Sequence, residues 1–489
     1  MPKHAISGAT ALLLTTAIAH AEVDARTIWT DWQEVSARFG GALTAASEDY
    51  SNGTLTLTDM MATTTMDGAE SRIEYGTVRL VEGEDGTVTI ELPESLEMTT
   101  TNTVGEVTQT QDLAVRYQDL EIVVSEEEGV RVYDAEAESM TMTTAVAPED
   151  GSGGAELVVT MSGIDSTYRS GTDGDDGALE QTLAADGLEL RLAVEDEGGA
   201  PVAITSTLEG ITGTFDGNLG EMPDLPVTSM AQWNMTYQGG LRHDGGTFRM
   251  DGEGPQGPFS VDGTSDTGNL DFSLTEDSMG YRLGAEDVAM TVQAPGFPVP
   301  IRIAVAESET GFTLPFGEPG TEKPFGMTLA YRDLVIDDAL WALFDPTGQL
   351  PRDPATLVVE LAGTATPSVD IFGDPEAMAT LQGPPGTLDS LTIERILLDL
   401  VGATLRGSGE LAFPTPDPSQ PVGTIELSLD GGFALIDKLV ALGFVPAEQA
   451  AFVKGMAGAV AKPVGDDQLE TVIEFTEGGG ISANGLPLQ

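Results

Sequence analysis

The chain contains no cysteine and only 3 histidines among 489 residues. The first absence removes thiol nucleophiles, thiolate metal sites, redox motifs and disulfide staples together. The second leaves little imidazole chemistry. His4 and His20 fall in the leader described below, so His243 stands alone in the mature chain. One imidazole builds no histidine-rich zinc site, and any histidine-based triad would have to use His243 itself. It sits in Arg242-His243-Asp244-Gly245-Gly246, which reads as a hairpin tip. Bases are scarce too: 21 Lys+Arg face 80 Asp+Glu, a formal net charge of −59. That balance argues against nucleic acid and anionic bilayers as partners, since basic side chains hold both. It favours solubility, cationic partners or divalent ions. A P-loop, a dinucleotide fingerprint, a Gly-x-Ser-x-Gly elbow and a His-Glu-x-x-His helix are all missing, and no cofactor is expected.

Long apolar runs are missing except at the start. Met1 to Ala21 reads as a secretory signal, with Lys3 and His4 opening it and Leu12-Leu13-Leu14 at its centre. Ala19-His20-Ala21 fits the small-residue cleavage pattern, placing the cut between Ala21 and Glu22. Its apolar run is about 15 residues, short of the roughly 20 that span a bilayer. The expected location is the periplasm, with an extracellular one as the alternative, and no transmembrane anchor is expected after processing.

What is present is a strand signal. Hydrophobic residues make up 40% of the chain, with 59 Gly and 28 Pro, which favours a globular, turn-rich protein. From Thr44 onward, short period-2 runs alternate with Gly, Asp and Asn clusters. Examples are Ile73 to Val81, an Asp85-Gly86 turn, Thr87 to Leu92, Leu157 to Met161, Val202 to Leu208 and Gly213 to Phe215. Helical spacing appears in few places. Asp24 can cap a helix to Phe39 whose stripe is Ala25, Ile28, Trp29, Trp32, Val35 and Phe39, a lid for the first strands. Asp338 to Phe344 reads as a turn or two of helix, and Pro375 to Leu381 as another short one. Val422 to Gln489 reads as strand, helix from Phe433, helix opened by Pro446, strand and hairpin return. The expected fold is therefore mainly β: long curved antiparallel sheets with a few capping helices, an N-terminal one and a C-terminal pair. The expected division is a leader (1–21), a β-rich half with its leading helix (22–220), a second β-rich half (221–421) and a closing unit (422–489). Asn218 to Pro226 marks the middle boundary.

Two local patterns stand out. Leu113 to Ile122 echoes Met327 to Ile336, with Tyr, Asp, Leu and Ile in register; duplication of a β-rich half or the likeness of any two strands would produce it. Asp173-Gly174-Asp175-Asp176-Gly177 is the best Ca²⁺ candidate, through Asp173, Asp175 and Asp176. Its Gly falls one place early for an EF-hand loop, and Ala184 stands where a bidentate Glu is required.

Ile28-Trp29-Thr30-Asp31-Trp32-Gln33 with Gly53-Thr54-Leu55-Thr56-Leu57-Thr58-Asp59 resembles an uncharacterised bacterial family of exported proteins, domain of unknown function 2125. Trp341-Ala342-Leu343-Phe344-Asp345-Pro346 with Leu350-Pro351-Arg352-Asp353-Pro354 is similar to the same family, as is the ending Gly480 to Leu488. The resemblance covers nearly the whole mature chain and implies a Gram-negative periplasmic protein; it brings no activity and no functional residues. The expected role is non-enzymatic: a scaffold, or a carrier of an apolar ligand such as a lipid between sheet and helices, with a protein partner as the other candidate. A Ca²⁺-dependent surface module and an acid-pair hydrolase are the alternatives.

Overall fold

The structure is a computed structural model that describes residues 23–488 except 39, 67–68, 105–106, 128, 147–153, 172–177, 196–200, 219–235, 370–379, 382 and 416. The leader with its Ala21/Glu22 cut lies outside the described residues. So do the loop with Asp173, Asp175 and Asp176, nearly all of the Asn218–Pro226 boundary and most of the Pro375–Leu381 helix. The chain is mainly β, as expected, and the 27 strands among the described residues join one antiparallel sheet.

Each row of this sheet lies beside the next row in sequence. Some rows are single strands and some are two collinear ones. β1 (Gly41–Thr44) and β2 (Ser47–Ser51) together pair with β3 (Thr54–Met66), which pairs with β4 (Ala69–Glu82). The meander continues through β9 (Val130–Val146), β10 (Gly154–Gly171), β11 (Ala178–Glu195) and β12 (Pro201–Asn218). β13 (Thr236–His243) and β14 (Gly245–Gly254) share the next row, each pairing with its own half of β12. β17 (Ser278–Gln293), β18 (Ile301–Pro315), β19 (Lys323–Ile336), β20 (Ala355–Pro367), β21 (Gly386–Leu400), β22 (Ala403–Ala412) and β23 (Val422–Asp430) follow in order. About twenty rows at ~4.8 Å give a sheet on the order of 95 Å across its strands. The first and last rows do not pair, so two edges remain. The exposed acids Glu48 and Asp49 on one and Pro487 on the other blunt them.

The strands are longer than period-2 alternation implied. Leu157 to Met161 is one part of β10, and Val202 to Leu208 joins Gly213 to Phe215 in β12. The cause is a bend inside each row. On β10 the apolar set Ala155, Leu157, Val159 and Met161 is odd-numbered, with Val158 the exception, and Ile164 and Tyr168 are even-numbered; Gly163 between the two runs has φ 60°. Pairing continues on both sides, Ser162 facing Ser139 and Ile164 facing Ala137. Gly210, Asp59 and Asp333 do the same on β12, β3 and β19, with φ of 60°, 50° and 52°. A left-handed residue inside a strand reverses the alternation, and Gly and Asp adopt it at least cost. Across the reversal the apolar residues stay on one face: Leu55 and Leu57 before Asp59, and Met60 after it, enter the same core.

These bends line up as a seam across the sheet, which accounts for two sequence patterns. Asp119 and Asp333, the matching acids of the internal echo, have φ of 51° and 52°, so the echo marks one bend used twice. Arg242 to Gly246 is not a hairpin tip: Asp244 stands at the seam between β13 and β14, its N–H donating to the Glu209 carbonyl at 2.9 Å.

Helix α1 (Ala25–Arg38) begins where Asp24 accepts from the N–H groups of Arg26 and Thr27 at 2.9 and 3.1 Å. Its stripe covers the first strands, as expected of a lid: Ile28 and Trp29 pack on Leu55, Leu57, Val78, Leu80, Val88 and Val124. The buried Arg131 holds it through ion pairs to Asp31 and Glu126, and Trp32 donates to the Tyr133 hydroxyl at 3.3 Å. At the other end, α2 spans Asp338–Phe344 as expected, and the C-terminal unit has its expected order: β23, α3 (Gly432–Ala441), α4 (Ala447–Val460), β25 (Gln468–Thr476) and β26 (Gly480–Ala483). α3 lies against β22, while α4 leans on α3 with Phe452 68% exposed. Among the described residues no helix is long and apolar enough to cross a membrane.

Candidate functional site

The sheet has one apolar face and one polar face, and register makes the assignment. Leu43 faces Ala62, which faces Ile73, then Met98 and Leu113. After Thr144 the line resumes at Leu157 and continues through Leu192, Ile204, Met250, Val261 and Val292 to Ile301. Beyond the seam a second line starts in the α1 core at Val124, passes through Tyr133 and Tyr168, and crosses the polar Gln181 to reach Phe215. It then runs through Phe272, Tyr281, Phe312 and Met327, and by way of Leu361, Ile393 and Ile425 reaches Ile473. Intervening positions face the other way and are mostly polar: Arg191, Thr205, Arg249, Asp262 and Thr291 occupy one such line.

Among the described residues, helices cover the two ends of the apolar face and leave its middle open. α1 contacts β1, β3 and β4, α2 contacts β18, and α3 contacts β22. Between them, Leu270 is 38% exposed and its cross-strand partner Leu283 is 47% exposed, with Tyr281 and Leu314 also exposed.

Glycine keeps this floor low. Gly239 pairs with Phe215, Gly263 with Phe248, Gly252 with Phe259 and Gly363 with Phe325. A Cβ at Gly263 would lie 2.7 Å from the Phe248 ring, and one at Gly363 2.6 Å from that of Phe325. Each ring therefore lies flat over the glycine of the next strand instead of standing up from the sheet. Many of the 59 Gly thus serve strand interiors, where composition alone suggested turns. His243 follows the same rule, its ring lying over Gly268, and its Nδ1 is buried without a hydrogen-bond partner.

The face ends in a defined hollow. Leu334, Ile336, Leu350, Leu400, Leu439 and Phe444 enclose, with Trp341 and Phe344 of α2, a cavity of about 470 Å³. Asp345 fixes its wall. This fully buried carboxylate accepts from the N–H groups of Gln349 and Leu350 at 2.9 and 2.8 Å. Desolvation alone would raise its pKa; the N–H groups of Leu350 and Gln349, and the Arg352 guanidinium, hold it below the usual carboxylate range. A larger hollow of about 700 Å³ opens on the polar face, where Arg395, Arg406, Glu426 and Glu470 stand beside Leu397 and Val472. Among the described residues no three His, Asp or Glu side chains converge as a metal cluster.

Both stretches that form this hollow, Trp341 to Pro346 and Leu350 to Pro354, fall within a family match. An uncharacterized protein family conserved in bacteria, DUF2125, matches residues 240–488. The chain belongs to this family. The stretches Ile28 to Gln33 and Gly53 to Asp59 lie outside the matched span, whereas the ending from Gly480 to Leu488 lies within it. No curated protein and no solved structure matches the chain. The apolar spacing of Trp341, Phe344 and Leu350 around Asp345 is the signal of this hollow that the sequence carries.

Proposed function

We propose that this protein is a non-enzymatic periplasmic carrier of apolar ligands, lipid acyl chains foremost, laid on the open face of its sheet. The observation that carries the reading is the apolar face between two helix-covered ends, its lines interrupted at Thr144 and Gln181 and its middle exposed at Leu270, Tyr281, Leu283 and Leu314. Large exposed apolar patches mark binding surfaces. Hydrocarbon suits this one better than a peptide does. The sheet's amides are paired to one another, so a peptide lying on the face would bury its own amides without partners at a cost of about 1–3 kcal/mol each. An acyl chain has no such groups. The net charge of −59 opposes adsorption to an anionic bilayer, which favours binding of single lipid molecules.

Native mass spectrometry of mature protein prepared from the periplasm without detergent tests this. A lipid mass on the bare chain is expected; a bare mass, with no lipid in a solvent extract, removes the carrier and leaves the scaffold. The Ca²⁺ module rests on Asp173, Asp175 and Asp176 alone, and thermal melting indifferent to Ca²⁺ and chelator would end it.

A further inference from the structure

The cavity beside α2 differs from the open face in having cations at its mouth, in a chain that has few. Arg352 lines it, with Cζ 5.7 Å from the centre of the Trp341 ring. One of its nitrogens pairs with the exposed Asp338, leaving other donors of the guanidinium fork free. Lys438, in the last turn of α3, makes no ion pair among the described residues. A Cβ on Gly402 would lie 3.1 Å from Pro351 Cγ and 4.0 Å from Lys438 Nζ, which places the ammonium beside the Leu350–Arg352 loop. Asp338 and Asp353 are the acids at this mouth.

A second observation is strain. β21 and β22 are joined through Val401 and Gly402, with φ of 56° and 81°. Two central residues with positive φ form a hairpin turn that favours Asn-Gly, and a β-branched residue there is a strained outlier. The Val401 side chain lines the cavity. Backbone strain kept at such a place is a pointer to binding.

We infer that this cavity takes a single-chain anionic amphiphile. Its tail lies among Trp341, Phe344, Leu439 and Phe444, and its carboxylate or phosphate meets Arg352 and Lys438. The volume of about 470 Å³ falls within the roughly 300–1,000 Å³ of small-molecule sites. The inference rests on reading the inner face as an apolar-ligand surface, of which this cavity is the end that recognises a head group.

The test is quenching of tryptophan emission in the mature protein by three brominated probes: a dibrominated stearate, the matching alcohol, and a lysophosphatidic acid with the same chain. Saturable quenching by at least one acid is expected, and Trp341→Phe abolishes it. Arg352→Gln and Lys438→Gln each weaken the charged probes about tenfold and leave the alcohol unchanged. Comparison of stearate with the lysophospholipid tells a carboxylate head from a phosphate. Val401→Asn melts no lower than wild type yet binds more weakly, which separates loss of the lining from misfolding. The inference is overturned if Trp341→Phe leaves quenching intact, if the alcohol binds as tightly as both acids, or if Arg352→Gln and Lys438→Gln change nothing. Lipid retained on the Arg352→Gln protein in native mass spectra, with Trp341 silent in the wild type, sinks the cavity assignment alone. Absence of lipid from wild type sinks the carrier reading as well.

Discussion

The two ends and the middle of this sheet are built from the same kind of strand, yet among the described residues it is the α1 end that has a closed core. Under α1, Leu57 is fully buried among Leu55, Val78, Leu80 and Ile28. On β17, Leu283 occupies an equivalent inward position opposite Leu270 and remains 47% exposed. The strand supplies an apolar row in both places; a helix arrives at only one. Inward alternation therefore specifies which side chains share a face, while burial depends on whether another element packs there. In the middle the chain keeps an apolar face that contributes less to stability than it could, and binding is the use such a face has.

The largest expected effect tests the covered end. Leu57→Ala should cost about 2–5 kcal/mol in urea unfolding; a loss below 1 kcal/mol would mean that α1 does not seat as described. Gly239→Val comes next. Its new side chain meets the Phe215 ring and should cost about 1–3 kcal/mol through overpacking. It should also lift that ring off the floor and lower lipid retention in native mass spectra. Unchanged retention would detach the flat floor from binding.

Asp345→Asn should act locally and with pH. The folded-state pKa of Asp345 is depressed, so its contribution is complete above the unfolded value near 3.9 and lost as pH falls through the lower folded value. The variant should be less stable than wild type at neutral pH, and the difference should shrink on acidification. A gap that does not narrow would exclude Asp345 as its source. The smallest effect belongs to the bare middle: Leu283→Ser should change stability by no more than about 0.5 kcal/mol while reducing lipid retention. A large destabilisation there would show that the face is covered in solution.

Some of this was legible in the residues. The α1 stripe, the Asp24 cap, α2 at Asp338–Phe344 and the order of the last 68 residues, 422–489, follow from local spacing and punctuation, because each depends on neighbours within a turn or two. The long strands were not, because Gly163, Gly210 and their counterparts reverse the parity that a period-2 test follows. Asp119 and Asp333 left a visible trace as an internal echo, but an Asp in a strand does not announce a left-handed φ. The Gly–aromatic pairs were invisible for another reason: Phe215 and Gly239 are 24 positions apart and meet only through the pairing of β12 with β13.

The sequence alone settled the class of element, the face on which each side chain of a short run falls, and the exclusion of thiol chemistry. These are matters of local geometry and inventory. Tertiary structure alone decided that the rows join one sheet, that their bends align, that helices stop short of its middle, and that Trp341, Val401 and Phe444 meet around one hollow. Those outcomes depend on register between distant strands, and register is fixed by the free energy of the whole assembly of pairings rather than by any one segment.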